Sequence, residues 1–245
     1  MIMDGNGRWA ERRSHRRVWG HIRGSFVVSK IIRKASDLRL KSLTLYSFST
    51  ENWGRPSGEV STLLKLLKKF LIREKSRVLS HQIRFKVMGD YTSLPESTKE
   101  LISELECLTK DFKGLKLTIA FGYGGRAELV QAVNSWVAAN PGKPIDAAGI
   151  ERNLMAPDLG DVDLLIRTGG NHRISNFLLW QLAYAELFFT DTPWPDFTTK
   201  EFENIITNFR KIDRRFGMIN RQNCLKDCVE KAEKNKRLFS KDGWR

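Results

Sequence analysis

The sequence predicts an α/β protein built on a mostly parallel central sheet flanked by helices, and three observations carry that expectation. Short β-rich runs alternate with longer stretches of helical apolar spacing, the pattern of strands joined by crossover helices. Segments rich in Gly, Arg and small polar residues stand where several of those runs end, and open α/β sheets bind ligands beyond the carboxyl ends of their strands. The chain has 245 residues, 41% hydrophobic and 29% charged, which suits one large or two small domains with a buried core.

In chain order, Met1-Ile2-Met3 reads as the end of a strand that runs through a Gly-rich turn, Asp4–Arg8, into a helix. Arg12, Arg13, Arg16, Arg17 and His21 lie on or near that helix. Val27, Ile31, Ile32, Ala35 and Leu38 form a helical stripe. Leu43–Phe48 is a compact strand, closed by Ser49-Thr50-Glu51-Asn52-Trp53-Gly54-Arg55-Pro56. Val60, Leu63, Leu64, Leu67, Phe70 and Leu71 mark the next helix. Ile83–Met88 alternates as a strand. Leu94-Pro95-Glu96-Ser97 opens a helix to about Phe112, with Pro95 tolerated in its first turn. Leu115–Phe121 alternates again. Arg126–Ala139 reads as a helix stopped by Asn140-Pro141-Gly142, and Val162–Ile166 as a short strand. Residues 1–217 form the expected domain, and 218–245 a basic helical C-terminal extension.

No apolar run reaches membrane-spanning length, and the basic N-terminal region is not followed by the apolar stretch of a signal peptide. Three cysteines, an odd number, argue for a reducing compartment and a cytoplasmic location. Cys224 and Cys228 share a helix face, but no histidine stands near them to make a zinc site. The net charge is +14, with ten Lys/Arg against two Asp/Glu in residues 11–41 and twelve against five in 210–245. Such ends attract anionic substrates, anionic lipid headgroups or nucleic acid. The aromatics sit mainly in apolar runs rather than along a basic stripe, which counts against nucleic acid.

Two segments carry the chemistry: Met3-Asp4-Gly5-Asn6-Gly7-Arg8-Trp9, and Arg167-Thr168-Gly169-Gly170-Asn171-His172-Arg173-Ile174-Ser175-Asn176-Phe177. Arginine offers a rigid fork of donors, and glycine lets backbone N–H groups approach an anion. One such loop would be an ordinary turn with an exposed arginine; two suggest two phosphorylated ligands, or two ends of one. Neither a Walker A nor a dinucleotide fingerprint is present. Asp4 suits Mg²⁺, which takes carboxylates with phosphate oxygens, and its competing use is to cap the following helix. His21 is balanced between a structural and a site role. Arg55 is a further phosphate contact. Leu178–Phe189 is apolar apart from Gln181 and Glu186, so Glu186 needs a partner, either Mg²⁺ or an arginine in a buried pair.

These segments, with Gly20-His21, Leu43 to Trp53, Arg55-Pro56, Gly89-Asp90, Tyr123-Gly124-Gly125-Arg126, Arg167 to Glu186 and Trp194-Pro195-Asp196-Phe197, resemble the cis-prenyltransferases of the undecaprenyl diphosphate synthase family. The resemblance runs from residue 3 to Gly217. It implies a homodimer of single α/β domains with a hydrophobic product tunnel, lined by the Val60–Leu71 helix and the Leu115–Phe121 strand. It implies condensation of isopentenyl diphosphate with an allylic diphosphate such as farnesyl diphosphate to a cis-polyprenyl diphosphate, of the undecaprenyl type. By the same resemblance the allylic diphosphate lies on Asp4, Gly5, Asn6, Gly7 and Arg8, with Trp9, Arg17, His21, Ser49, Thr50, Glu51, Trp53 and Arg55 around it. Arg167, Arg173, Ile174 and Ser175 serve isopentenyl diphosphate. Asp4 and Glu186 are the implied Mg²⁺ residues, Glu186 in the site of the other subunit. Asn52 matches the residue assigned to proton removal or substrate alignment.

Asn171 stands where the family usually has Glu, Gly122 where it usually has Asn, and little chain precedes Met3, so the first strand is nearly absent. Two alternatives accompany the reading: a short or branched product, and a non-catalytic partner subunit, against which Asp4, Arg8, Arg167 and Arg173 all speak. The basic extension is expected to aid peripheral membrane contact, or else dimer packing.

Overall fold

The computed structural model describes residues 1–213, and the compact body spans Met1–Phe209. The expected boundary at 217, the extension 218–245, Cys224 and Cys228 lie outside the described residues. The order is α1 (Asn6–Glu11), α2 (Arg17–Asp37), β1 (Ser42–Ser49), a 3-10 turn (Thr50–Gly54), α3 (Ser57–Ser80), β2 (Arg84–Met88), α4 (Glu96–Thr109), β3 (Lys116–Tyr123), α5 (Gly125–Ala139), α6 (Ala147–Asn153), β4 (Leu164–Arg167), β5 (Glu186–Phe189) and α7 (Thr199–Phe209).

Among the described residues all strand pairs are parallel. β3 lies between β1 and β2, and β4 pairs β5. Ile2 joins the two groups, bridging Tyr46 on one side and Arg167 on the other. Ile2 is held by its N–H to Ile166 O at 2.8 Å and by Thr168 N–H to its own O at 3.2 Å. That residue fixes the site, because Asp4 follows it by two and Arg167 lies beside it.

The β1–β3 register slips between Tyr46 and Phe48, where Ser47 turns its hydroxyl to Ala120 O at 2.9 Å. An extra residue of this kind bends a strand and re-aims its end, here toward the cavity below. One core packs α2, α3, α4 and α7 with the β1–β3 side of the sheet, through Ile31, Ile32, Leu45, Leu71, Ile102 and Phe202 among others. A second lies on the other face, through Tyr46, Tyr123, Leu165 and Phe177.

Several elements differ from the sequence reading for identifiable reasons. α2 begins ten residues before its apolar stripe, because Gly20 and Gly24 let it lie directly against Asn6 and Trp194. α3 runs on to Ser80 because its inward face continues through Leu67, Leu71, Glu74 and Val78. Glu74 is 2% exposed, but Ser29 donates to it at 2.6 Å and Arg73 and Arg77 pair with it, which removes the penalty of burying its charge. Pro95 precedes the first turn of α4 as its N-cap, and that helix ends at Thr109. β5, α6 and α7 are additional elements. No described helix is long and apolar enough to cross a membrane.

Candidate active site

A cavity of about 1090 Å³ opens where the carboxyl ends of β1 and β4 meet α2, α3 and the chain after Ile2. Asp4, Asn6, Arg8, Arg17, His21, Ser49, Glu51, Asn52, Arg55, Arg167, Arg173, Ile174 and Ser175 line its polar end. Val28, Leu63, Leu66, Leu67, Phe70, Ile119 and Phe121 line the rest. Two segments separated by about 160 residues thus converge.

The convergence depends on close backbone approach. Gly5 has φ 99° and Gly169 φ 84°, and a Cβ on Gly169 would fall 2.9 Å from the Asp4 carbonyl and the Gly5 nitrogen. Thr168 Oγ1 donates to Asp4 O at 2.8 Å, and Trp194 N–H to the same oxygen at 2.9 Å. The loop after Arg167 is unusually bent, since Gly169, Gly170, Ser175, Asn176 and Leu178 all have positive φ. Left-handed non-Gly residues cost roughly 1–3 kcal/mol each and gather where function demands a fixed shape. Asn176 anchors this loop, donating to Glu51 Oε1 at 2.9 Å and accepting from Arg126 N–H at 2.9 Å and Gly125 N–H at 2.7 Å.

Asp4 is the centre of the cluster. Its Oδ1 accepts Gly5 N–H at 2.6 Å, while Oδ2 accepts from Arg167 Nη2 at 2.9 Å and Asn171 Nδ2 at 2.7 Å and faces Arg8 Nη2 at 3.4 Å. Burial works against the charge, but the bonds from Asn171, Arg167 and Gly5 outweigh it and hold the carboxyl below its ordinary range. α1 is capped by Gly5, so Asp4 is not spent as a helix cap. Arg167 is 3% exposed, and its remaining fork goes to Ser175 Oγ at 2.7 Å and Arg173 O. Arg167 therefore organises the loop, leaving its buried Nε unpartnered. The more exposed Arg173 reaches only Asn171 Oδ1, at 3.3 Å.

At the other wall, Arg17 and Arg55 share Glu59. Arg55 Nη1 meets Glu59 Oε1 at 3.0 Å and Arg17 Nε meets Oε2 at 3.5 Å, while Arg17 also pairs with Glu11 at 2.9 Å. Arg17 packs over Gly7, where a Cβ would fall 2.5 Å from its Cζ. His21 Nε2 is 3.7 Å from Glu59 Oε1, and burial, reinforced by Arg55, pushes its pKa down to about 4. His21 is a neutral ring at pH 7.

Some expected residues stand elsewhere. Gly5 and Gly7 shape the loop without lining the cavity, and Thr50 is outside the lining. Trp9 packs under Arg13 at 4.3 Å, and Trp53 packs edge-on against Phe48 at 4.8 Å. Val60, Leu71, Leu115 and Leu117 are core residues rather than cavity wall. Glu186 opens β5 opposite Leu164, three register steps from the Arg167–Phe189 pair, about 10 Å along the strand from Asp4's level. Asp4 and Glu186 are thus not assembled into one site within a chain, because a parallel register puts them at opposite ends of the strands.

The buried carboxylate on this side is Glu128, which accepts from Tyr123 Oη at 2.5 Å, Gln181 Nε2 at 3.1 Å and Met155 N–H at 3.1 Å. Glu59 is a site residue that sequence reasoning did not place, and for Asn171, named within the second loop, the bond to Asp4 was not foreseen. Glu59 looks like an ordinary first-turn acid, although its position four after Arg55 was a signal for that pair.

Asn52 closes a capping box with Ser49, its Oδ1 accepting Ser49 N–H at 3.2 Å. Among the described residues no cluster of three acidic, His or Cys side chains could hold a metal. Asp4 alone fits a Mg²⁺ that takes one carboxylate and completes its shell with phosphate oxygens and water.

The prenyltransferase family model described as undecaprenyl diphosphate synthase matches residues 2–217. An isoprenyl transferase of Fusobacterium nucleatum is 45% identical over 217 residues, covering 89% of this chain and 94% of the relative. A (2E,6E)-farnesyl-diphosphate-specific ditrans,polycis-undecaprenyl-diphosphate synthase of Pectobacterium atrosepticum is 45% identical over 222 residues, covering 89% and 88%. Among solved structures, lavandulyl diphosphate synthase from Lavandula x intermedia, in complex with dimethylallyl diphosphate, superimposes with TM-score 0.83 and 36% identity over 89% of this chain and 96% of that one. A probable undecaprenyl diphosphate synthase from Campylobacter jejuni gives 0.75 and 32% over 88% and 96%. Two Gly/Arg loops meeting at Asp4, on the fold and across the length of these relatives, place the chain in the undecaprenyl diphosphate synthase family as a cis-prenyltransferase.

Proposed function

We propose that the protein condenses an allylic diphosphate, such as farnesyl diphosphate, with isopentenyl diphosphate in repeated cycles to a long cis-polyprenyl diphosphate of the undecaprenyl type. The single observation that carries this is a polar end with two separate sets of arginines opening into an apolar cavity above the usual range of about 300–1,000 Å³ for ligand pockets. Arg8, Arg17 and Arg55 receive the allylic diphosphate, and Arg173 with Ser175 the isopentenyl diphosphate. Asp4 would hold Mg²⁺, which when bound would supply charge neutralisation for the diphosphate. The arginines stabilise that same developing charge from fixed positions. The alkene of isopentenyl diphosphate bonds to the allylic carbon, and the proton lost afterwards passes to the departed diphosphate, the strongest base at hand. Asn52 is an amide with no useful basicity, so it aligns substrate. The apolar wall of Leu63, Leu67, Phe70 and Phe121 forms the start of the product tunnel.

A homodimer completes the reading. β5 pairs only with β4 among the described residues and exposes Leu187 and Phe188, an edge that a second copy would cover. A second copy is also the source from which Glu186 would join Asp4. A short or branched product is the second reading, favoured by the likeness to lavandulyl diphosphate synthase. A non-catalytic subunit is disfavoured because both arginine sets and Asp4 converge. Incubation with isopentenyl diphosphate, Mg²⁺ and a series of allylic primers, read by mass spectrometry, tests all three. Repeated five-carbon additions support the proposal, a single addition gives the second reading, and no incorporation overturns both.

A further inference from the structure

We propose that the outer face of α2 and α3 docks on an anionic lipid surface, so that the apolar product formed between these helices leaves directly into a bilayer. The inference rests on the proposed function for the nature of the product and on the following geometry for the surface. Arg16, Trp19, Arg23, Phe26, Lys30 and Arg33 recur at intervals of three and four residues, which puts them on one face of α2 and its N-cap, and all are exposed. Trp19 is 52% and Phe26 49% exposed. Lys65, Lys69 and Ile72 form a matching exposed row on α3, and Ile72 is 58% exposed. The two rows meet where the Arg73 guanidinium lies 4.9 Å from the Phe26 ring.

Charge identifies the occupant. Between Glu11 and Asp37 the chain has eight Lys/Arg and no acidic residue. Elsewhere several basic side chains are partnered, as in Lys75–Glu104, Lys99–Glu96 and Arg84–Asp158. Among the described residues, none of Arg16, Arg23, Lys30, Arg33, Lys65 or Lys69 makes an ion pair, so the face presents uncompensated cations around large apolar side chains. Tryptophan settles at the headgroup level, Lys and Arg meet anionic headgroups, and Phe and Ile enter the acyl boundary. A second copy of this chain would set like charges against each other on such a face. The opposite sides of the same helices supply Ser25, Val28, Leu67 and Phe70 to the cavity, so the docked face adjoins the wall around the product.

The test is sedimentation of the full chain with phosphatidylglycerol vesicles and with phosphatidylcholine vesicles, at low and high salt. Binding to the anionic vesicles alone, weakened by salt, is expected. Each cation near such a surface is worth about fivefold, so Arg23→Gln/Lys30→Gln/Lys69→Gln should weaken binding on the order of a hundredfold. Trp19→Ser/Phe26→Ser/Ile72→Ser should abolish the part that survives high salt. Both variants should keep the wild-type unfolding transition and, within about twofold, turnover of a short soluble primer. Unchanged vesicle binding in both variants moves the contact off this face and overturns the proposal. Loss of oligomer in either variant assigns the face to a second copy, and equal, variant-sensitive binding of a single-stranded oligonucleotide assigns it to nucleic acid; each also overturns it. Absence of prenyl transfer in the wild type removes the proposed function, while vesicle binding is read independently.

Discussion

The two ends of the polar site are charged by different means. Around Asp4, the β4 side is made of backbone and buried groups: a carboxylate bonded by Arg167, Asn171 and Gly5, on loops locked by Thr168, Trp194 and Asn176. Around Glu59, the helical side is made of side chains reaching from α1, α2, the 3-10 turn and α3. Arg17 is 47% exposed and Glu11 51%, so their pairing is a surface ion pair worth about 0–1 kcal/mol. Arg167 is almost wholly buried, and stripping its carboxylate leaves an uncompensated charge, a change that typically costs about 3–5 kcal/mol. The sheet side is thus preorganised whether or not substrate is present. The helical side holds its arginines on carboxylates, which under the proposed function an incoming diphosphate would have to displace.

The largest effect expected from this difference is at Asp4. Asp4→Ala should reduce turnover about 10³-fold or more, through lost cation binding and a disordered Arg167 loop. It should also lower the unfolding free energy, as measured by denaturant titration. Near-normal turnover would remove Asp4 from the chemistry. Next come the two arginine sets, compared directly. Losing a charge-assisted contact to phosphate costs about 1.5–3 kcal/mol, or roughly ten- to hundredfold. Arg173→Ala should raise KM for isopentenyl diphosphate, and Arg55→Ala should raise KM for the allylic primer. Equal effects of either variant on both substrates would erase the division between the two ends.

Asn171→Ala should have a smaller effect. It removes one of the donors to Asp4 but leaves Arg167 in place, so a loss of about three- to tenfold in kcat/KM and a weaker Mg²⁺ dependence are expected, with stability little changed. An effect as large as that of Asp4→Ala would show that Asn171, and not Arg167, holds the sheet side together.

The smallest expected effect separates the two ends by pH. His21 on the helical side has its pKa lowered from 6.5 to about 4 by burial, so the unfolded chain binds its proton first. Stability from this group is complete above pH 6.5 and is lost as pH falls toward 4. Thermal unfolding from pH 7 to 4 should therefore show a loss that His21→Gln diminishes. Identical pH profiles for the two proteins would mean that His21 is solvated in the folded state.

Four strands and four principal helices were readable because their apolar spacing reports burial locally. The two phosphate-type loops were readable because Gly and Arg signal the same chemistry wherever they stand. β5 was not, since Leu178–Phe189 is apolar apart from Gln181 and Glu186 and carries no period to distinguish a buried turn from a strand. The apolar run told only that Glu186 needs a partner; where along the strand it lies within one chain is set by the β4–β5 register.

The chain by itself determined the fold class, the two Gly/Arg loops, the family and the absence of acid between Glu11 and Asp37. These are properties of composition and local order. The tertiary structure decided how Asp4's oxygens are shared, which arginine is buried and which is free, that Arg17 and Arg55 meet on Glu59, and that Trp19, Phe26 and Ile72 face outward together. Each of those depends on groups distant in sequence meeting within a few ångströms. That distance is set by the single bridging residue Ile2, the glycine contacts beside it and the packing of α2 on α3, none of which the order of residues states locally.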